Sequence, residues 1–465
     1  MTAFWLDSDY LLAALLSVVI GAIPLTASLW IAVKRPALAM IFFFFLFAFA
    51  WRLGSVLCID LFGPVFSDQL ERSIGPGNST VPIAVSQAIV IAALLFSFRP
   101  QRVQELFSTN EFGLANRLPP GRFALSDLAF WAVALFVIAL WAELFVRGSI
   151  PLFVGIERYD YSRLYGGVLH HRLLEWGPML AFQLGVFFAG PLLHGKPLDW
   201  RIGALFATLI LYLFFVGHRF SSFYAYTSFF IMPIGVVLLS NRAERAMKSI
   251  SRYLAIAGAV LSLLIAVAIT HSYVVVRGEG AQILSKLFQR IMIQQGEMWW
   301  MTYERVFLHG DWNSGLAAYK LFVGPFDQSR NSTMQFLMEL GMPVERAHFV
   351  LTQGASYTGG WPEVYFELGG PVGGFILVAA SAIAFSEFLF LLSRCVIQER
   401  FATSFFLTPI LFTMSIAVIS GMLNSFIQVT FIIKLAVALV VYIAEDRWRS
   451  KLHYPNGLLV SKHEA

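Results

Sequence analysis

IFFFFLFAFA (41–50) is apolar at every position, and this decides the class of fold. A strand of a membrane barrel would alternate apolar and polar residues. A surface helix of a soluble domain would keep a polar face. The stretch lies within a longer hydrophobic run, about 37–60, and ten more runs follow the same pattern: 10–33, 81–98, 125–146, 175–193, 202–217, 223–240, 253–275, 366–393, 402–420 and 425–444. A crossing needs roughly 20 such residues. Only 13% of the 465 residues are charged, and mean hydropathy is +0.71. Soluble chains carry about 25% charged residues, so a soluble enzyme is excluded. The expected fold is all-α, a polytopic membrane protein of about 11 transmembrane helices forming one integral membrane domain over 1–465.

The distribution of Lys and Arg predicts orientation. One set of short loops and the C-terminal tail hold 18 of the 33 basic residues; the opposite short loops hold six, namely Arg72, Arg147, Arg158, Arg163, Arg172 and Arg219. The bias places the N-terminus outside and the C-terminus inside the cytoplasm, with a basic, flexible cytoplasmic tail at 445–465. The net charge of +5 follows this topology and is no nucleic-acid footprint. Cys58 and Cys395 fall near opposite membrane faces, so no disulfide is expected, and no Cys/His spacing suggests a metal.

Two outer segments are more than connectors. The first, 147–174, reads RGSIPLFVGIERYDYSRLYGGVLHHRLL and concentrates Arg158, Arg163, His170, His171 and Arg172. Positive charge is selected against in short outer loops, and arginine binds phosphate in bidentate fashion at any relevant pH. Lipid headgroups would satisfy such arginines equally well. The second, 276–365, opens with AQILSKLFQRIMIQQ, which places Ile283, Leu284, Leu287, Phe288 and Ile291 on one helical face; Lys286, Gln289 and Arg290 lie on or beside the other. Such a helix would rest on the membrane with its polar side toward water, and Trp299–Trp300 suits the interface. Arg305, Arg346 and His348 add to this segment, and Glu363 stands at a Gly-rich entry to the next span. The turn VGHRFSSFYAY (216–226) brings His218 and Arg219 to the outer face. Within the spans, Arg52 and Lys434 should face the bundle interior, because a central charge costs about 2.5–3.5 kcal/mol in lipid. Asp7-Ser-Asp9 reads as a cap for the first helix. Matching broken helices, which a carrier would show in two halves, are not apparent.

The arrangement resembles the Wzy-type O-antigen polymerases (oligosaccharide repeat-unit polymerases) and, more distantly, the O-antigen ligases. The likeness lies in the span layout, the Arg-bearing early outer loop, the turn 216–226, KLFQRIMIQQGEMWW (286–300) and GGWPEVYFELGGPVGGFIL (359–377). In the turn, His218 stands where these proteins often carry serine. The resemblance implies a GT-C-like glycosyltransferase at the periplasmic face of the bacterial inner membrane. Such an enzyme joins undecaprenyl-pyrophosphate-linked oligosaccharide units into surface polysaccharide, sometimes beside a chain-length regulator. It implies Glu363 or His348 as base and Arg290 at the reacting centre. Arg219, His218, Arg158, Arg163, Arg172, Arg305 and Arg346 would bind pyrophosphate or glycan, with no metal or cofactor needed. A ligase, or a transporter for lipid-linked glycans, remains the alternative.

Overall fold

The computed structural model describes residues 8–108, 122–156, 158–218, 220–240, 256, 258–260, 262–267, 269–270, 274, 283–323, 333–352 and 359–453. Of the proposed cap at Asp7-Ser-Asp9, Ser8 and Asp9 form the start of the first helix, while Asp7 and the side chains of all three lie outside what is described. Helices α1 (Ser8–Lys34) and α2 (Pro36–Phe62) form an antiparallel pair, and a two-stranded hairpin, β1 (Val65–Ser67) and β2 (Arg72–Ile74), leads into α3 (Thr80–Ser97). The short α4 (Pro100–Ser108) precedes α5 (Arg122–Arg147). Two short helices, α6 (Pro151–Val154) and α7 (Arg158–Leu164), connect α5 to α8 (Val168–Ala189). Then come α9 (Trp200–Phe215) and α10 (Phe220–Leu238).

The second large segment folds as α11 (Ile283–Phe288), α12 (Glu297–Tyr303), α13 (Ser314–Val323), α14 (Thr333–Gly341) and α15 (Val344–Thr352). The bundle closes with α16 (Glu363–Ile397), α17 (Phe401–Ser420) and α18 (Val429–His453). Among the described residues eight helices are long and apolar enough to cross a membrane, and each coincides with a hydrophobic run of the sequence. α9 is shorter, at 16 residues, and α18 carries the last run. The protein is an all-α, multi-pass membrane protein.

Aromatic side chains build the core around α2. Phe45 packs on Phe385 of α16 at 4.6 Å, Phe42 meets Phe98 edge-on at 5.3 Å, and Phe44 stacks on Tyr224 of α10 at 5.1 Å. All three rings of α2 are buried. The all-apolar stretch 41–50 thus faces helices on several sides, which explains its lack of a polar face. α10 is wedged between α2 and α8, so it has almost no exposed side along its second half.

The helices alternate, which divides the bundle into two ends. One end gathers the hairpin, α6, α7, the turn 216–218 and all of α11–α15. The opposite end is knit by ion pairs: Arg102 to Glu387 at 2.6 Å, Arg201 to Asp199 at 2.8 Å and to Asp127 at 3.1 Å, and Arg400 to Asp446 at 2.8 Å.

Four expectations are corrected or refined here. The polar side of α11 faces the hairpin as well as water: Lys286, 37% exposed, pairs with Asp68 at 3.3 Å, and Gln289, just beyond α11, donates to the Phe66 carbonyl at 2.8 Å. The hairpin thus shares these polar groups with water, while Leu284 and Phe288 stay exposed. Trp299 and Trp300 are buried in protein, with the Trp299 indole donating to the Ser79 carbonyl at 2.6 Å. The loop around them is inserted between α2, α3 and α16, so it has a core of its own. Lys434 lies in the second turn of α18 on an exposed face, because α18 packs mainly against α17. The tail, expected to be flexible from 445, continues as helix to His453.

Candidate functional site

Arg52 sits in α2, two turns before its loop-rich end, and is 6% exposed. Its guanidinium Nη2 forms an ion pair with Glu363, which is fully buried in the first turn of α16. Removing one partner of such a pair would leave a bare charge in a dry interior, so each holds the other in place. Glu367, one turn further and on the same face, is also fully buried, and its carboxylate lies 3.5 Å from Nε of Arg305. Arg305 reaches Asp311 as well, at 3.4 Å. Two carboxylates and two arginines from α2, α16 and the inserted segment therefore meet where α16 begins.

The Arg290 turn joins this group. Residues Gln289–Ile293 form a π-helical turn, a distortion that recurs at functional sites. The turn docks on α2: Trp51 donates to the Ile291 carbonyl at 2.8 Å, and Ser55 donates to the Met292 carbonyl at 2.8 Å. Arg52 lies between these two donors in sequence. A second π-helical turn, Glu304–Leu308, carries Arg305. The second turn brings Arg305 to Glu367 of α16, and the first, which carries Arg290, is anchored to α2 by its backbone.

Two further carboxyls lie near α2. Asp60 caps α3, accepting from the Thr80 amide and hydroxyl at 2.7 Å each and from Ser79 at 2.8 Å; this is a structural role. Glu297 is 1% exposed and accepts a hydrogen bond from Ser67 of the hairpin; its Oε1 has no partner. Burial, aided by the Asp68 charge, pushes its carboxyl up to about 8.

A separate polar cluster occupies the α7–α8–α9 corner. His170 accepts or shares a proton with Tyr212 at 3.0 Å, and its amide donates to Glu143 at 3.1 Å. His218 bonds Ser222 at 2.7 Å, and its ring centroid lies 6.3 Å from that of His170. Burial first, then the charges of Arg158 and His170, lower His218 to about 3. Phe220 connects the two clusters, packing edge-on against Trp51 at 4.9 Å.

The residues singled out from sequence separate accordingly. Glu363 pairs with Arg52 of α2, Arg305 lies against Glu367 on the same face of α16, and the turn that carries Arg290 docks on α2 through its backbone carbonyls. His218 and Arg158 belong to the α7–α8–α9 cluster. Arg163 and Arg172 do not join either group: they are exposed and pair locally with Asp160 at 3.5 Å and Glu175 at 2.8 Å. Arg346 lies 3.7 Å from Glu71, and His348 is exposed on α15. Arg219 lies outside the described residues. Sequence reading noted Arg52 without its partner, which lies 311 positions away, and missed Glu297 and Glu367. The pair Glu363/Glu367 had a signal, since i,i+4 spacing puts both on one helical face.

Residues 327–435 match a family of unknown function, DUF6418. The matched region runs from α14 through α17 into α18 and includes Glu363, Glu367, Arg346 and His348. No curated protein and no solved structure matches the chain.

Proposed function

We propose that the protein is a glycosyltransferase acting on polyprenyl-pyrophosphate-linked oligosaccharides, with its reacting centre at the loop-rich end of α2 and α16. One observation carries this reading: the buried Arg52–Glu363 pair stands beside the π-helical turn that bears Arg290. The scarcity of basic residues in the short loops of this end supports its placement outside the cytoplasmic membrane, by the positive-inside rule.

The chemistry requires a base, fixed cations and a path for the leaving group. The acceptor sugar hydroxyl gives its proton to a carboxylate as its oxygen bonds the anomeric carbon of the donor. The bond from that carbon to the pyrophosphate oxygen breaks, and the electron pair leaves on the pyrophosphate. Arginines held before the reaction stabilise that growing negative charge without reorganisation. Glu363 is better placed for the base than His348, because it already shares a site with arginine while His348 projects from α15 into the surroundings. Arg290 and Arg305 are assigned to the pyrophosphate.

One feature favours a carrier instead. α16 is broken at Gly370 (φ 65°, ψ −169°), followed by Pro371, and broken helices mark transporter binding sites. No second helix among the described residues shows such a non-helical interior. In cells making the polymer, Arg290→Ala should abolish polymer while protein level stays normal, and Arg290→Lys should restore only part of it. Unchanged amount and length of polymer in Arg290→Ala would remove the assignment.

A further inference from the structure

We infer that the Arg52–Glu363 pair is an exchangeable lock: the (pyro)phosphate of a lipid-linked substrate takes Arg52 from Glu363 and thereby releases the carboxylate. This deepens the proposed reading and rests on it for the identity of the substrate. The geometry comes from the guanidinium itself. Arginine binds phosphate best through two parallel N–H groups. On Arg52, Nη2 is occupied by Glu363, while Nε is buried with no hydrogen-bond partner. A phosphate oxygen pair engaging the Nε–Nη2 edge competes with Glu363 for Nη2. The carboxylate is equally half-used, since its Oε2 is buried and unpartnered. Buried polar groups ordinarily find partners, so both atoms offer a bonding position to an incoming group.

Gly359 lies close over Arg52: a Cβ there would come within 3.2 Å of Nη2 and 3.6 Å of Cζ and Nη1, so a branched side chain at 359 would press on the guanidinium. Arg52 further occupies the membrane-spanning helix at the end where a lipid-borne headgroup would arrive, while Trp361, two residues before Glu363, is fixed by stacking on Phe49 at 4.7 Å. Phosphate and carboxylate compete for one cation, so removing the carboxylate's charge must strengthen phosphate binding, by the reciprocity of linked equilibria. Once displaced, Glu363 has its full charge free to take the acceptor proton.

The test measures binding of geranylgeranyl pyrophosphate to the full-length protein in detergent micelles, with inorganic pyrophosphate and geranylgeraniol as comparison ligands. Glu363→Gln should bind the lipid pyrophosphate at least tenfold tighter than the unaltered protein, and Gly359→Val should bind it at least tenfold weaker. The double variant Arg52→Met/Glu363→Gln should lose the gain entirely. It removes both charges together, a change that buried ion pairs tolerate. If Glu363→Gln does not fold, the unaltered protein must still bind at least tenfold tighter than the double variant. Equal affinity of those two, no tightening in a folded Glu363→Gln, or a double variant as tight as Glu363→Gln overturns the lock. So does equal binding of geranylgeraniol, whereas inorganic pyrophosphate binding with the same variant pattern assigns recognition to the headgroup alone. No sugar is present in the assay, so failure of the lock and failure of glycosyl transfer are read separately.

Discussion

Burial keeps Glu297 protonated near neutral pH, and the consequence reaches the stability of the whole protein. Its carboxyl titrates at about 8 in the folded state and ordinarily at 4.5. Between those values the folded protein holds a proton that the unfolded chain has lost, so stability falls as pH rises through this window. The slope from one group is at most about 1.4 kcal/mol per pH unit. His218 acts in the other direction: with its folded value at about 3 against 6.5, it contributes stability above pH 6.5 that is lost as pH falls toward 3. The detergent-solubilised protein should therefore show a falling Tm from pH 6.5 to 9. Glu297→Gln, which keeps a hydrogen bond to Ser67 without a titrating proton, should flatten that fall and raise Tm at pH 9. A pH profile identical in the variant would contradict the assignment. Nothing in the sequence flagged this residue, because a single Glu in IQQGEMWW reads as a solvated loop position until the segment is known to be inserted between helices.

At the scale of elements, the spans were legible and their interruption was not. Length and unbroken apolarity suffice to locate a helix that must satisfy every backbone group internally. The Gly-rich entry to α16 was equally visible, but composition does not say whether consecutive glycines turn, pack or break the helix. Gly370 settles that point. Its φ of 65° with ψ of −169° belongs to a region essentially confined to glycine, and a Cβ there would approach Trp312 to 2.7 Å. Gly370→Ala should cost about 1–3 kcal/mol and lower Tm by several degrees. Gly373, which has open space around its Cβ position, provides the matched control: Gly373→Ala should leave Tm unchanged. Equal effects of the two substitutions would show that the break is not what fixes this segment. The candidate site follows the same division. Arg290 was recognisable on the polar face of an amphipathic segment and Glu363 at the entry to an apolar run, whereas the Arg52–Glu363 and Arg305–Glu367 contacts depend on three-dimensional packing that no local pattern encodes.

For the molecule as a whole, the two ends do different work with the same residue types. At the opposite end, arginines mostly find carboxylates on neighbouring helix termini, as in Arg102–Glu387 and Arg400–Asp446, and these pairs fasten the bundle. At the loop-rich end, buried carboxylates and arginines retain polar atoms without hydrogen-bond partners, among them Arg52 Nε, Glu363 Oε2 and both Glu367 oxygens. Unsatisfied buried groups are costly at either end, Arg400 Nε and Nη1 included. Among the described residues, however, only beside α2 do two fully buried carboxylates on one helical face each meet an arginine, and that pairing is the molecular-scale reason for placing chemistry there. The most direct measurement is reconstitution of the purified protein alone in vesicles with a polyprenyl-pyrophosphate-linked oligosaccharide. Products are then analysed by mass spectrometry for new glycosidic bonds. The account requires a lipid-linked ladder of repeat lengths, released polyprenyl pyrophosphate in matching amount, and loss of both in Arg290→Ala. Movement of intact lipid-linked oligosaccharide across the bilayer, with no new glycosidic bond, would contradict it.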